Sequence, residues 1–456
     1  MKLTIIGGAG VRTPSLVRAL VRRAQRLSLQ EVWLMDNDAD KLNLIGELVL
    51  TLAEQQGASF KIVLSTDARE SLREASHVIT TIRPGLEQGR AVDERIAFTH
   101  GVLGQETTGA GGFAMAMRSI PAILEYARTL AEVGAPGAWL YNFTNPAGLV
   151  AQALHDSGIE RVVGICDSAN GAQHAVSRFM NVPLECVHHE VYGLNHLSWT
   201  RSVCVEGCGY DSEEVLAALL DNPEFIASTH MAMFDPGLRA WQGMFLNEYL
   251  HYYYHRYEAL AALNAKSETR GEQIVRLTTD LLDRLRATDD RDEKMRIYRE
   301  VMGQRSATYM AHAHTEPSAS ARPEVSEIEE DEGYAGVALG CVEAIVTNTP
   351  LYTGLNVPNN GAIDGMRDGD VVEVSCWIDA DGIRPIRIGA VPEHQYLLMR
   401  DVKLYERIGV QAILKRSRKL ATEALTVHPL IGSYPLARTL VNEYVEAHRS
   451  LIGDWQ

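Results

Sequence analysis

Residues 1–20, MKLTIIGGAGVRTPSLVRAL, decide the fold. Lys2 to Ile6 is a short apolar run of strand type, and Gly8-Ala9-Gly10 offers a tight turn that lets a pyrophosphate approach the backbone. Pro14 to Leu20 then reads as a helix whose N-terminus faces that anion. Thr13 stands where the third glycine of such a fingerprint is expected, so Gly8, Gly10, Val11, Arg12 and Thr13 form the candidate pyrophosphate contact. A second strand, Glu31 to Met35, ends in Asp36, whose carboxylate can accept hydrogen bonds from an adenosine ribose. An acid at that place favours NAD over its 2′-phosphorylated form.

Outward from this motif, strand and helix alternate. Runs at Lys61 to Leu64, His77 to Ile82, Ala138 to Phe143 and Arg161 to Ile165 are separated by helical patterns such as Met115 to Val133 and Ala147 to Ser157. This predicts an α/β chain that opens with a Rossmann-type doubly wound parallel sheet. RPG, TNPAG and CDSANG each follow a strand, where ligands bind in open α/β sheets. Arg83 and Asn145, in the first two, are candidate cofactor contacts. Beyond Gly193 the character changes, which divides the chain into a cofactor domain, 1–192, and an α+β domain, 193–456. Helices are expected at Ser212 to Leu220, Gly237 to Leu263, Glu272 to Thr288, Asp290 to Met302, Val402 to Ala424 and Tyr434 to Leu451. A strand-rich block is expected at Asp370 to Ile388, and a polar, acidic passage, His314 to Gly333, reads as a loop or lid.

Composition excludes several function classes. With 456 residues, 46% hydrophobic and 22% charged, the chain is long and apolar enough for a large core. A net charge of −16 without a basic stripe argues against nucleic acid. No signal-peptide pattern or bilayer-length apolar stretch is present, so a cytoplasmic protein without membrane contact is expected. The six cysteines (166, 186, 204, 208, 341 and 376) show no CxxC spacing, which implies neither a disulfide framework nor a structural zinc module. Cys204 and Cys208 read as ordinary semi-buried thiols.

Cys166 in GICDSANG and His196 in GLNHLSW stand apart. Thiolate plus imidazole is a borderline-soft ligand set, and two protein ligands leave positions open for a chelating substrate and water. Taken singly, Cys166 would pass for a buried strand-end thiol and His196 for a satisfied loop histidine.

Taken together, RPGLEQGRAVDE, GVLGQETTGAGGFAMAMRSIP, NFTNPAG, GICDSANG, GLNHLSW, NEYLHYYY, TRGEQIV and NNGAIDGM give the chain a resemblance to family 4 of the glycoside hydrolases. That NAD-dependent family is an exception to the two-carboxylate scheme of glycosidases. The resemblance extends to HPLIGS near the C-terminus. It implies a lactate/malate-dehydrogenase-like fold, NAD and a divalent ion, usually Mn²⁺, held by Cys166 and His196. It also implies Tyr249 as general base, Glu106 as the acid that raises the basicity of Tyr249, and Asp167 at a proton-donor position. Arg90, Asn145, Asn195 and Arg270 fall on substrate positions. A homodimer or homotetramer is implied as well, and the apolar helices after Gly237 could supply its interface.

The implied route is oxidation at C3, deprotonation at C2, elimination of the C1 leaving group, addition of water and return of hydride. The motifs are closest to the 6-phospho-β-glucosidase group. Asp167 departs from the asparagine usual there, and GQRSATYMAH, 303–312, replaces a KRGGAYYS-like segment. Arg90, Arg270 and Arg305 nevertheless leave positive charge for an anion at C6. A 6-phospho-α-glucoside, a sulfoquinovoside, an α-glucuronide or an α-galactoside therefore stays open as substrate. Two readings from other classes are an NAD-dependent 2-hydroxyacid dehydrogenase, for which no His-Asp relay with a carboxylate-clamping arginine is evident, and a non-catalytic sensor.

Overall fold

The computed structural model describes residues 1–308 and 327–456. The described strands are β1 (Lys2–Ile6), β2 (Glu31–Met35), β3 (Lys61–Ser65), β4 (His77–Thr80), β5 (Trp139–Asn142), β6 (Val162–Gly164), β7 (Val187–Leu194), β8 (Leu197–Gly207), β9 (Tyr210–Glu214), β10 (Phe245–Leu246), β11 (Leu351–Pro358), β12 (Val371–Asp379) and β13 (Gly382–Pro385). They form one sheet in the order β10-β8-β7-β12-β11-β6-β5-β4-β1-β2-β3, with β13 on β12 and β9 on β8.

The run β3-β2-β1-β4-β5-β6 is all parallel. Its strand order, 3-2-1-4-5-6, is that of dinucleotide-binding doubly wound sheets. β4 is buried throughout and β1 almost so, because helices cover both faces. The expected strands all form, as do the helices after β1 (Thr13–Arg23), before β5 (Gly109–Val133) and after it (Ala147–Asp156).

At β6 the sheet changes character. β11 joins antiparallel to β6 through Asn356 and Gly164, and β12 pairs antiparallel with both β11 and β7. β7 and β8 form a hairpin that closes between Leu194 and Leu197. Gly193, where the sequence changes character, lies inside β7 and pairs with Glu373 of β12.

Several expected helices are corrected. Ser212 to Leu220 is the end of β9 followed by a short helix, Leu216–Leu220, because the polar segment Tyr210–Glu214 completes a ladder with β8. Gly237 to Leu263 is not continuous. A helix Pro236–Gln242 stops at Gly243 in the left-handed conformation, then come β10, a 3₁₀ turn at Glu248–Leu250, and helices His251–Tyr254 and Arg256–Asn264. Val402 to Ala424 divides into Glu393–Lys415 and Arg418–Val427, since Arg416 turns left-handed and the Ser417 side chain caps the next helix. Helices Arg270–Arg286, Arg291–Ala307 and Tyr434–Ile452 form as expected. Of the expected lid, residues 314–326 lie outside the described residues, and a helix starts at Glu327.

Cys208 is corrected too: it is disulfide-bonded to Cys186, with Cα atoms 6.5 Å apart, whereas Cys204 is a free, partly buried thiol. The 3₁₀ turn before β7 meets the β8–β9 turn there, a pairing across 22 residues that cysteine spacing did not signal. Among the described residues no helix is long and apolar enough to cross a membrane.

One buried cluster locks the last helix onto the functional half. Arg118 pairs with both oxygens of Asp93 (2.6 and 3.0 Å) and donates to the carbonyls of Pro84 and Ala114, and His448 Nε2 lies 2.6 Å from Asp93. Truncating Arg118 strands a buried carboxylate, which costs about 3–5 kcal/mol. Arg118→Ala should lower the urea midpoint of unfolding accordingly; an unchanged midpoint would show that the cluster carries no net stability.

Candidate active site

A cavity of about 590 Å³ follows the C-terminal ends of β2, β1, β4, β5 and β6. The first loop builds one end of it. Gly7 has φ +97°, and a Cβ there would lie 2.5 Å from the Thr81 carbonyl oxygen, so only glycine lets the turn pass this close to β4. Gly7, Gly10, Val11 and Arg12 line the cavity. Gly8 and Thr13 do not line it: Gly8 packs on Leu34 of β2, and Thr13 is buried in the first helical turn. Asp36 lines the cavity with its carboxylate accepting from the amides of Ala9 (3.1 Å) and Asp38 (3.2 Å). Burial raises its pKa against those hydrogen bonds. Glycine cradle, helix N-terminus and strand-end acid together fit a dinucleotide.

Cys166 leaves the end of β6, and His196 occupies the two-residue turn between β7 and β8. The turn forces His196 to φ +62°, a left-handed conformation that a non-glycine residue keeps only where its surroundings hold it. Its Nε2 then sits 3.2 Å from the Cys166 sulfur. Its Nδ1 lies 2.7 Å from the Thr107 hydroxyl, which itself donates to Gln105 Oε1 (2.7 Å). The Thr107 oxygen must therefore accept from Nδ1–H, which leaves Nε2 unprotonated. Burial pulls the His196 pKa down to about 3 against the attraction of Glu106, so the ring is neutral. Burial first, then the Asp167 and Glu373 charges, push the Cys166 thiol up; an ion would reverse that by taking the thiolate.

With bonds of about 2.1 Å to nitrogen and 2.3 Å to sulfur, the N···S separation subtends about 90° at a shared ion. The donor set thus fits a divalent cation. Among the described residues no group of three His, Cys, Asp or Glu side chains could hold a metal, so most of the coordination sphere would fall to substrate and water.

Tyr249 is held by the 3₁₀ turn Glu248–Leu250, which Asn247 caps by accepting from the Tyr249 amide (3.0 Å). Its ring lies flat on the His196 imidazole, with centroids 3.6 Å apart and planes within 6°. Glu106 is salt-bridged to Arg83 and to Arg90 (3.0 Å), and Arg90 also to Glu94 (2.7 Å). Burial alone would raise the Glu106 carboxyl, but the two guanidiniums hold it well below the usual range. Glu106 thus reaches Tyr249 through Arg90, whose charge is felt by the phenol.

A second cavity of about 490 Å³ shares Arg12, Glu106, Tyr249, Arg270 and Arg305 with the first and adds Arg90. Arg270 is anchored by the Thr308 hydroxyl (2.6 Å) and the Arg305 carbonyl (2.9 Å). Burial, then Arg12, Arg83 and Arg90, lower the Arg305 pKa, the mark of a junction with more cation than anion.

Asn145 and Asp167 line the first cavity. Asn195 lines neither: its side chain accepts from the Gly148 amide (3.3 Å) and donates to Glu373 (3.2 Å), behind the hairpin turn. Sequence reasoning missed Thr107, Asn247, Ser198 and Glu373. Thr107 in GQETT, Ser198 in GLNHLSW and Asn247 in NEYLHYYY lay inside motifs already singled out, whereas Glu373 lay in none.

Residues 2–182 match the model for the family 4 glycosyl hydrolases, and residues 191–431 match that for their C-terminal domain. A probable 6-phospho-beta-glucosidase of Bacillus subtilis (strain 168) is 31% identical over 99% of this chain and 97% of its own length. The 6-phospho-beta glucosidase of Thermotoga maritima, solved with manganese, NAD⁺ and glucose-6-phosphate, superposes with a TM-score of 0.82 at 26% identity, covering 99% of each chain. A lactate dehydrogenase from a deep-sea metagenome shares the fold at a TM-score of 0.52 and 14% identity, over 91% of this chain and 98% of that one. With both family models matched in order along nearly its whole length, the chain belongs to family 4 of the glycosyl hydrolases.

Proposed function

We propose that this enzyme hydrolyses a 6-phospho-β-glucoside with NAD⁺ and a divalent ion, Mn²⁺ first, as resident cofactors. The observation that carries the reading is the convergence of Cys166 Sγ and His196 Nε2 at 3.2 Å, under the stacked Tyr249 ring, in the cavity that begins at the Gly7 turn. When bound, the nicotinamide supplies reversible oxidation at C3 and the ion supplies Lewis acidity toward the C2 and C3 oxygens.

Cys166 and His196 hold the ion from the protein side. Tyr249 takes the C2 proton, and the Arg90 cation beside it favours the phenolate. Glu106 keeps Arg83 and Arg90 in place and balances part of their charge. Asp167 gives a proton to the departing C1 oxygen, and Asn145 contacts substrate and cofactor. Arg270 and Arg305, at the junction of the two cavities, take the C6 phosphate as charge-assisted partners. We place the enzyme in the cytoplasm as a homodimer or homotetramer. In that reducing compartment Cys166 stays reduced.

The deciding assay offers p-nitrophenyl glycosides (β- and α-glucoside 6-phosphate, α-sulfoquinovoside, α-glucuronide and α-galactoside) with NAD⁺, Mn²⁺ and reductant each present or omitted. Nitrophenol release from the β-glucoside 6-phosphate alone, abolished by a chelator, restored by Mn²⁺ and free of net NADH, is expected. NADH accumulating in step with turnover would make the protein a dehydrogenase. Tyr249→Phe should lower kcat by about 10²–10⁴-fold while NAD⁺ still binds, the range for loss of a general base; a kcat near wild type would remove Tyr249 from that role. Arg305→Ala should raise KM for the phosphorylated substrate about 10–100-fold, the loss of one charge-assisted hydrogen bond. An equal rise with an unphosphorylated glucoside would mean that Arg305 does not read the C6 group.

A further inference from the structure

We propose that Glu373, a fully buried carboxylate on β12 to which the mechanism gives no task, is the positioning residue that fixes the Cys166–His196 pair and the Tyr249 turn as one unit. This rests on the reading of Cys166 and His196 as ligands of a divalent ion.

Glu373 lies behind the hairpin turn that carries His196, its backbone paired with Gly193 of β7. Its Oε1 accepts from the Ser198 hydroxyl (2.8 Å), and its Oε2 accepts from Asn195 Nδ2 (3.2 Å) and Asn356 Nδ2 (3.1 Å). Asn195 and Ser198 flank His196 on its two sides, so one carboxylate grips both arms of the turn. The network then runs on. Asn247 Nδ2 donates to the Ser198 hydroxyl (3.0 Å) and to the Ser168 hydroxyl (3.3 Å), while Asn247 Oδ1 accepts from the Tyr249 amide (3.0 Å). The Ser168 hydroxyl is 3.0 Å from the Cys166 sulfur. Both ligands and the tyrosine turn are thus tied, directly or through one or two side chains, to a group that lines neither cavity.

A strained φ at His196 gives this arrangement its purpose. Without the grip on Asn195 and Ser198 the turn is free to relax, and the imidazole loses its alignment with the sulfur. Outer partners of this kind typically change metal affinity by about 10–100-fold.

The test uses Glu373→Ala and Glu373→Gln in the full-length protein. A glutamine can keep its oxygen toward Asn195 and Asn356 and turn its amide to the Ser198 oxygen, so it preserves most of the network; alanine removes it. Mn²⁺ affinity is read by electron paramagnetic resonance, and ligation geometry by the thiolate-to-metal absorption band of the Co²⁺-loaded protein. Glu373→Ala is expected to weaken Mn²⁺ about 10–100-fold and to lose or shift the band, with NAD⁺ affinity unchanged and Glu373→Gln close to wild type. Should Glu373→Ala fail to fold, Ser198→Ala cuts the same link with a smaller cavity and should move both readouts in the same direction. Wild-type affinity and an unshifted band in Glu373→Ala, or in Ser198→Ala where that stands in, would overturn the proposal. If the wild-type protein itself shows no Mn²⁺ binding and no thiolate band, the metal assignment falls first and takes this inference with it.

Discussion

The approach of the Cys166 sulfur to His196 Nε2 is the contact on which the rest of the molecule depends. One atom comes from the end of a parallel strand, the other from an antiparallel hairpin, and they meet only because the two kinds of sheet join edge to edge. The seam is narrow. β11 reaches β6 through Asn356 and Gly164, and a Cβ on Gly164 would lie 2.8 Å from the Asn356 side chain. A residue larger than glycine would push β11 away, and β12, β7 and His196 with it. The glycine of GICDSANG therefore serves the site by closing the sheet.

Electrostatics gives the cavity its direction. Asp36 lines the cavity beside the first loop, while Arg12, Arg83, Arg90, Arg270 and Arg305 gather toward Glu106. Glu106 is fully engaged by two of those guanidiniums, which leaves the junction cationic and suited to an anion on the sugar. The same cavity holds an imidazole kept in one tautomer by Thr107, a thiol with Asp167 beside it, and a phenol stacked on the imidazole. A chain with a net charge of −16 thus sets five arginines where the proposed substrate needs cations.

Much of this was legible beforehand. The parallel strands and the helices between them followed from apolar runs and glycine turns, and motif order along the whole chain carried the family. What misled was local. Gly237 to Leu263 has a helical composition, yet Gly243 and the Asn247 cap break it into the turn that presents Tyr249. The polar stretch before Leu216 lacks strand alternation but is captured by β8. That Gly7 as well as Gly8 cannot carry a Cβ shows only in the distances to Thr81 and Leu34, which come from neighbouring strands.

The sequence by itself determined the parallel sheet, the candidate cofactor loop, and the residue types that bear the proposed chemistry, since periodicity and turn residues act over a few positions. The tertiary structure alone decided that Glu106 is held between two arginines, that Asn195 supports the hairpin from behind, and that Glu373, 177 residues after His196 in the chain, stands behind the Cys166–His196 pair. Those roles come from hydrogen bonds between strands far apart in sequence. No local pattern encodes a partner that arrives only when the sheet closes.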